Sequence, residues 1–486
     1  MRGSVLYWYR NHQSSCLVHS AEQLRLSLGE QRMNDMDSMS RESKKDQLRK
    51  RVISGENGRN TRNVGNVGNA GNAGNAGNAG NAGNVSFSGG WTPEEDSEEI
   101  VRKAHKKVKR RHLVLLILLL ILIGGAAGGV YWYNRYFQFE NQTVGWERVL
   151  DRGDGSFTGY KKFGNGFLKY TKDGASNIGS DGKDIWIQSY EMKSPIAAVN
   201  DGYAAIADQQ GNSIYICDQS GCLGIATTVL PIVKITISAK GVVAAILEDQ
   251  TASYIYFFRK DGTEMQISMK GVLSGEIGYP LDISLSPDGT MLTGSYMYIE
   301  DGTLRSRVAF YNFSEVGKNA LNRFVGGFHD IYKESIVPRV QYLDDVYSVA
   351  FAQDSISFFS SRDVMSPALL KQVQVTEEIQ SVFYSKDYVG VIVAQEGGEY
   401  RQRMDVYKPN GDAVFSQEFT YDYTYADIDG DTIFLYNEDS CRVYNRYGNL
   451  KYEGPLDFSV SKMIKGSLPN QFLAAGPQAI KEIKLH

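Results

Sequence analysis

The chain has 486 residues, among them 50 Gly, 11 Pro, 30 Tyr and 21 Phe, a mix that suits short strands joined by tight turns and speaks against a helical bundle. Four cysteines exclude a scaffold held together by disulfides. The net charge of −4 hides a split, since residues 1–112 carry 19 Lys/Arg and 12 Asp/Glu (+7) while residues 113–486 carry 33 and 44 (−11), so the two parts face different surroundings.

Residues 1–92 read as a disordered cytoplasmic tail. Within it, residues 63–85 repeat Asn-Val-Gly and then Asn-Ala-Gly. Gly at every third position has the collagen period, but Pro is missing and Asn and Gly bury no core, so a linker is expected. Residues 93–112 form a basic juxtamembrane segment. Thr92 followed by Glu95 matches a capping box, which starts a helix near Pro93. Seven Lys/Arg between Arg102 and Arg111 then lead into "LVLLILLLILIGGAAGGV" (113–130), which has no charged or polar side chain.

Extended to Tyr133, this stretch reaches about 20 residues, enough to cross a lipid bilayer as a helix over 113–133. Tyr131, Trp132, Tyr133, Tyr136 and Phe137 follow it like an interfacial belt. The basic side stays in the cytoplasm, which places residues 134–486 outside the cell membrane. Signal-peptide cleavage at Ala126–Gly129 is disfavoured by the long segment ahead of it. Gly124/Gly128 and Gly125/Gly129 form two overlapping G-x-x-x-G pairs on which two helices can pack as a homodimer; small residues with no partner are the plainer alternative.

From residue 145 the chain repeats. "SPIAAVNDG", "YAAIADQQG", "NSIYICDQSG" and "GIATTVLP" are four short strands in a row, and Asp201-Gly202 suits a type I′ hairpin. "KITISAKG", "VVAAILEDQ", "SYIYFFRKDG" and "EMQISMK" repeat the unit, and third-strand equivalents recur to the C-terminus. Four-stranded units near 40–45 residues predict an all-β domain over 145–486, an eight-bladed β-propeller, with seven blades as the alternative. The last unit has three strands, and "GWERVLD" (145–151) is one strand to spare. Pairing Trp146–Leu150 with Ala479–Leu485 closes the ring and removes its open edges.

Chemical motifs are sparse. "DIDGD" (427–431) reads as a blade turn, with a Ca²⁺ loop as the alternative, its Gly standing too early for an EF-hand. "RGD" (152–154) is a three-residue match beside the closing strand. Beyond the membrane segment only His329 and His486 remain, so no Ser-His-Asp set is proposed. No metal, cofactor or catalytic residue is assigned. The acidic balance of the outer part argues against nucleic acid or another polyanion as partner. Cys217 and Cys222 flank the turn "DQSG" and are expected to form a local disulfide in an oxidising exterior, with two free thiols in a reducing envelope as the alternative. The longest insertion, 314–341, carries Phe324, Phe328, His329 and Tyr332. These are the expected contact surface, with a structural loop as the alternative.

The run "YTKDGASNIGSDGKDIWIQSYEMKSPIAAVNDGYAAIADQQGNSIYICDQSG" resembles the blades of quinoprotein-like propellers, and "SLSPDGT" (284–290) resembles the turn of WD-repeat-like propellers. Residues 100–486 look like an uncharacterised family of Gram-positive bacterial proteins with a cytoplasmic tail, one membrane span and an external propeller. The resemblance implies fold and topology but no activity. Quinoproteins that use their cofactor repeat a Trp blade after blade; here Trp186 alone holds that place, with Trp146 on the spare strand, and no cofactor residue carries over. The expected role is a membrane-anchored binding or scaffolding module for a protein, peptide or glycan of the cell envelope. An extracellular hydrolase or lyase with its site in the channel, and a single-pass sensor, are the alternatives.

Overall fold

The computed structural model describes residues 18–19, 93–150, 157–272, 277–332 and 334–486. The Asn-Ala-Gly repeat, the RGD tripeptide and the tail reading, apart from residues 18–19, lie outside the described residues. The helix as far as Asn134 and the ring from Arg135 onward belong to separate compact units.

One helix, α1, runs from Pro93 to Tyr136. Its most apolar 18 residues, within His105–Tyr136, have a mean hydropathy of 2.8, and none of them is buried. Among the described residues it is the one helix long and apolar enough to cross a membrane.

The rest is sheet. Eight four-stranded antiparallel blades follow one another: 158–189, 195–227, 232–271, 279–328, 339–374, 379–419, 425–455, and 462–485 completed by Gln142–Val149. Blades 1 to 7 are meanders in chain order. Blade 8 is closed by the spare strand, in the register Gln142 opposite Leu485, Trp146 opposite Glu482 and Val149 opposite Ala479. The closing strand thus starts earlier than the sequence reading set it. Val18–His19 adds a two-residue strand to blade 3, opposite Met269 and Ser268.

Most strands carry apolar side chains to both faces of their blade, because both faces pack on a neighbour. The buried residues accordingly fall into eight clusters, one in each seam between blades. The seam that closes the ring joins Tyr160, Phe167 and Ile178 of blade 1 to Ile464, Leu473 and Ile480 of blade 8. Eight filled seams settle the blade number at eight.

Turn chemistry differs from expectation in one place. Asp301-Gly302 has φ of 52° and 75°, the type I′ pattern, between the paired residues Glu300 and Thr303. At Asp201-Gly202 only Asp201 has a positive φ, 45°. In "SLSPDGT" the Asp288 carboxylate accepts from Ser286 Oγ at 2.6 Å and from the Thr290 backbone N–H at 2.9 Å, which fixes that turn.

Candidate binding site in the central channel

The first strands of successive blades pack against one another around the axis, so they wall the central channel. Together they carry six Lys/Arg and three Asp: Lys161 and Lys162, Lys234, Arg339, Lys462 and Lys465, against Asp282, Asp427 and Asp429. The channel wall is therefore net positive, +6 −3 = +3, although residues 113–486 as a whole sum to −11.

Most of these charges are paired. Lys234 Nζ stands 2.5 Å from Asp282 Oδ1. Asp282 also accepts the backbone N–H of Val340 at 2.9 Å, which links blade 4 to blade 5. Lys462 Nζ stands 2.5 Å from Asp427 Oδ1, and Tyr436 donates its hydroxyl to Asp427 Oδ2 at 2.6 Å. Burial first, and then the Asp427 charge, hold the Tyr436 phenol well above its usual value. Further along the strands Lys162 pairs with Asp429, and Lys465 Nζ reaches Asp431 at 2.6 Å. The three carboxylates of "DIDGD" thus face three different lysines and do not converge on one point, which is why that stretch is a blade turn.

Two cations remain. Arg339, first residue of its strand, donates from Nη2 to Tyr384 Oη at 2.8 Å and lies 5.0 Å over the Tyr384 ring. Lys161 has no hydrogen-bond or ion-pair partner among the described residues. Its side chain is solvent-exposed, and desolvation by the surrounding blades lowers its ammonium to about 8. The positive charges of Lys462, Arg339 and Lys234 push the same way, opposed by Asp427. Sequence reading passed over these residues. Their signal was a charge inside the otherwise apolar first strand of several repeats, as in "KITIS", "LDISL", "YADID" and "KMIK".

The residues singled out from sequence lie elsewhere. Phe324 and Phe328 bound the outer strand of blade 4. Phe324 is exposed and touches Tyr311, ring centroids 5.8 Å apart. Phe328 is half-buried, packed on Phe359 at 4.8 Å and Phe310 at 5.9 Å. Tyr332 is wholly buried, in the seam between blades 4 and 5. The expected contact surface is corrected on this point: Tyr332 and most of Phe328 are core, because the insertion folds back to cover the seam. Only Phe324 and His329 stay outside, the latter 3.5 Å from Asp330.

Cys217 and Cys222 are direct cross-strand partners in blade 2 and are free thiols. A hydrogen bond from Cys217 draws Cys222 down to about 7 and raises Cys217. A cleft of about 280 Å³ in blade 6 is lined by Glu377, Glu396, Glu399, Glu418 and Tyr400. Glu377 precedes the first strand of blade 6, residues 395–400 join its second and third strands, and Glu418 is in its fourth. Among the described residues no group of three His, Cys, Asp or Glu is placed to hold a metal ion.

Solved structures that match the chain do so at low identity. Sqt1 from Chaetomium thermophilum is 9% identical over 72% of this chain and 99% of its own, with a TM-score of 0.47. The Pan2 WD40 domain of Neurospora crassa is 10% identical over 60% of this chain and 88% of its own, at 0.36. Kuenenia stuttgartiensis hydrazine synthase is 12% identical over 64% and 98%, at 0.37. Likeness at that level says nothing of ligand or activity. No curated protein matches the chain. Residues 135–485 match the family of unknown function DUF5711, and the chain belongs to that family.

Proposed function

We propose that the chain is a single-pass membrane protein whose propeller stands outside the cytoplasm and serves as a binding module at the cell surface. The observation that carries this is α1. Its apolar stretch is exposed along its whole length, which water does not tolerate, and lipid does. Seven Lys/Arg precede it and an aromatic group follows it, the pattern of a helix with its N-terminal side in the cytoplasm. A rigid ring of eight blades with loops at two faces and a charged channel supplies surfaces for a partner.

Lysine labelling of intact cells with a membrane-impermeant reagent tests the topology. Modification of Lys183 and Lys386 with Lys103–Lys109 spared supports it. The opposite pattern overturns it. The same measurement weighs the Val18–His19 strand on blade 3, which requires tail and ring to share one side.

A second reading, a sensor, has one observation in its favour. The residues that follow α1 are fixed to the ring: Phe139 N–H donates to Lys451 O at 2.7 Å and Asn141 N–H to His486 O at 3.0 Å. Phe139 itself is core of the seam between blades 7 and 8. Among the described residues nothing lies within 4 Å of a Cβ built at Gly124, Gly125, Gly128 or Gly129, so crosslinking of the full chain through that face, changed by an envelope extract, distinguishes the sensor from a passive module.

A further inference from the structure

We infer that the seam between blades 4 and 5 is a binding site for a small cluster of ordered water molecules, closed off from solvent by the insertion. The inference goes beyond the binding-module reading and holds whichever side of a membrane the ring occupies.

Two contacts set the register of the two blades. Asp282 Oδ2 accepts the Val340 N–H at 2.9 Å, and Ser284 Oγ accepts the Tyr342 N–H at 2.9 Å. The ladders carry that register outward. Within blade 4, Asp282 stands opposite Ser295, and Ser295 opposite Val308. Within blade 5, Val340 stands opposite Ala350, and Ala350 opposite Ser357. Ser295 is therefore level with Ala350 and Ser357 across the seam. Ser306 shares the face of Val308, two residues along the same strand, and Ser348 shares the face of Ala350 in the same way. Val308 and Ala350 are core of this seam, as is Tyr332 from the connection between the blades.

Five hydroxyls thus turn into one seam: Ser295 and Ser306, Ser348 and Ser357, and Tyr332. Each of these residues is at most 1% exposed, and none of the five hydroxyls has a hydrogen-bond partner among the described residues. Burial raises the Tyr332 phenol, and Ser357 stands near enough to act against that rise, yet the two oxygens lack the geometry of a bond. Other hydroxyls of the seam are satisfied: Tyr342 Oη and Ser361 Oγ are 2.9 Å apart, and Thr293 donates to Ala309 O at 3.4 Å.

A buried hydroxyl without a partner costs free energy, and five in one seam would weigh heavily on a marginally stable fold. One buried water makes about three hydrogen bonds, so about two water molecules satisfy all five groups. The side chains at this level are also small. Ser295, Ala350 and Ser357 face one another where the seam between blades 3 and 4 is filled by Phe257, Tyr296, Tyr311 and Phe313. Small and polar walls leave room for water and give it partners.

The insertion forms the lid. Gln372 Nε2 donates to Ile331 O at 3.3 Å, Ile336 N–H to Gln353 Oε1 at 3.2 Å, and Gln353 N–H to Ile336 O at 3.1 Å. Tyr332 and Val337 lie wholly buried beneath it. Water in the seam therefore exchanges with solvent only as fast as this segment opens.

The test uses the full chain in detergent, labelled with 13C at the alanine methyls. Ala350 is wholly buried and level with Ser295 and Ser357, so its methyl, assigned with Ala350→Ser, is expected to cross-relax with water. Tyr332→Phe and Ser357→Ala each remove one hydroxyl and little else. Each is expected to lower the melting temperature by about 2 °C, because water loses a partner. In a dry seam the same changes delete an orphaned group and raise it. An Ala350 methyl silent to water, or a melting temperature unchanged or raised in both variants, overturns the inference.

Discussion

Arg148 on the closing strand and Asp184 of blade 1 meet at 2.6 Å, and the same guanidinium donates to Gly182 O at 2.9 Å. The strand that completes blade 8 is thereby also tied sideways to the next blade. Trp146 covers the same turn. Gly182 sits there with φ of 78°, and a Cβ on it would lie 2.5 Å from the Trp146 ring.

Arg148→Met removes a half-exposed ion pair and is expected to cost about 1 kcal/mol, lowering the melting temperature by about 2 °C. Gly182→Ala combines a left-handed backbone with a clash and is expected to cost more, about 2 kcal/mol. Deleting 142–149 bares the edge at Ala479–Leu485 and uncovers the closing seam, so it should abolish cooperative melting of the ring. Calorimetry of the three proteins checks the order.

Tyr332→Ala empties a wholly buried site between blades 4 and 5 and is expected to cost about 3–5 kcal/mol. His329→Ala, on the surface, is expected to stay within about 0.5 kcal/mol of wild type. Denaturant melts decide it. Equal midpoints for the two would contradict the placement of Tyr332 in the core.

Cys222 is the more reactive thiol of its pair, since the hydrogen bond from Cys217 stabilises its thiolate. Alkylation with iodoacetamide should modify Cys222 first, with a midpoint near pH 7, and spare the buried Cys217. Mild oxidation should join the two across the strands, lowering the mass by about 2 Da and adding about 2 kcal/mol through the short loop it closes. Persistence of two thiols after oxidation would show that this cross-strand geometry does not admit the bond.

Arg403 Nη1 lies 2.5 Å from Glu377 Oε1 and Nε lies 2.9 Å from Asp405 Oδ2. The Arg403 hydrogen bond holds the Glu377 carboxyl down to about 2, below its value in an unfolded chain. Its contribution is therefore complete above about pH 4.5 and is lost as pH falls through about 2. Melting temperature against pH should drop less steeply between those limits in Glu377→Gln than in wild type. The two curves should converge at the acid end.

The repeat itself determined the architecture. Short apolar strands at a fixed period, cut by Asp-Gly and Pro-Asp-Gly turns, admit little else than radial blades, and the odd strand at "GWERVLD" had one place to pair. The apolar run at 113–130 declared a helix fit for lipid in the same local way. Tertiary structure alone decided what each strand faces. A charge such as Lys162 reads in sequence as one polar residue in one repeat, and its partner Asp429 lies 267 residues away, on blade 7. The insertion shows the same limit from the other side: aromatic residues among charges look alike whether they greet a partner or fill a seam, and only the packing of Tyr332 and Phe328 against blade 5 tells which. Periodicity is a property of neighbouring residues and survives in the sequence; convergence on an axis is a property of the closed ring and exists only once the chain's two ends have met.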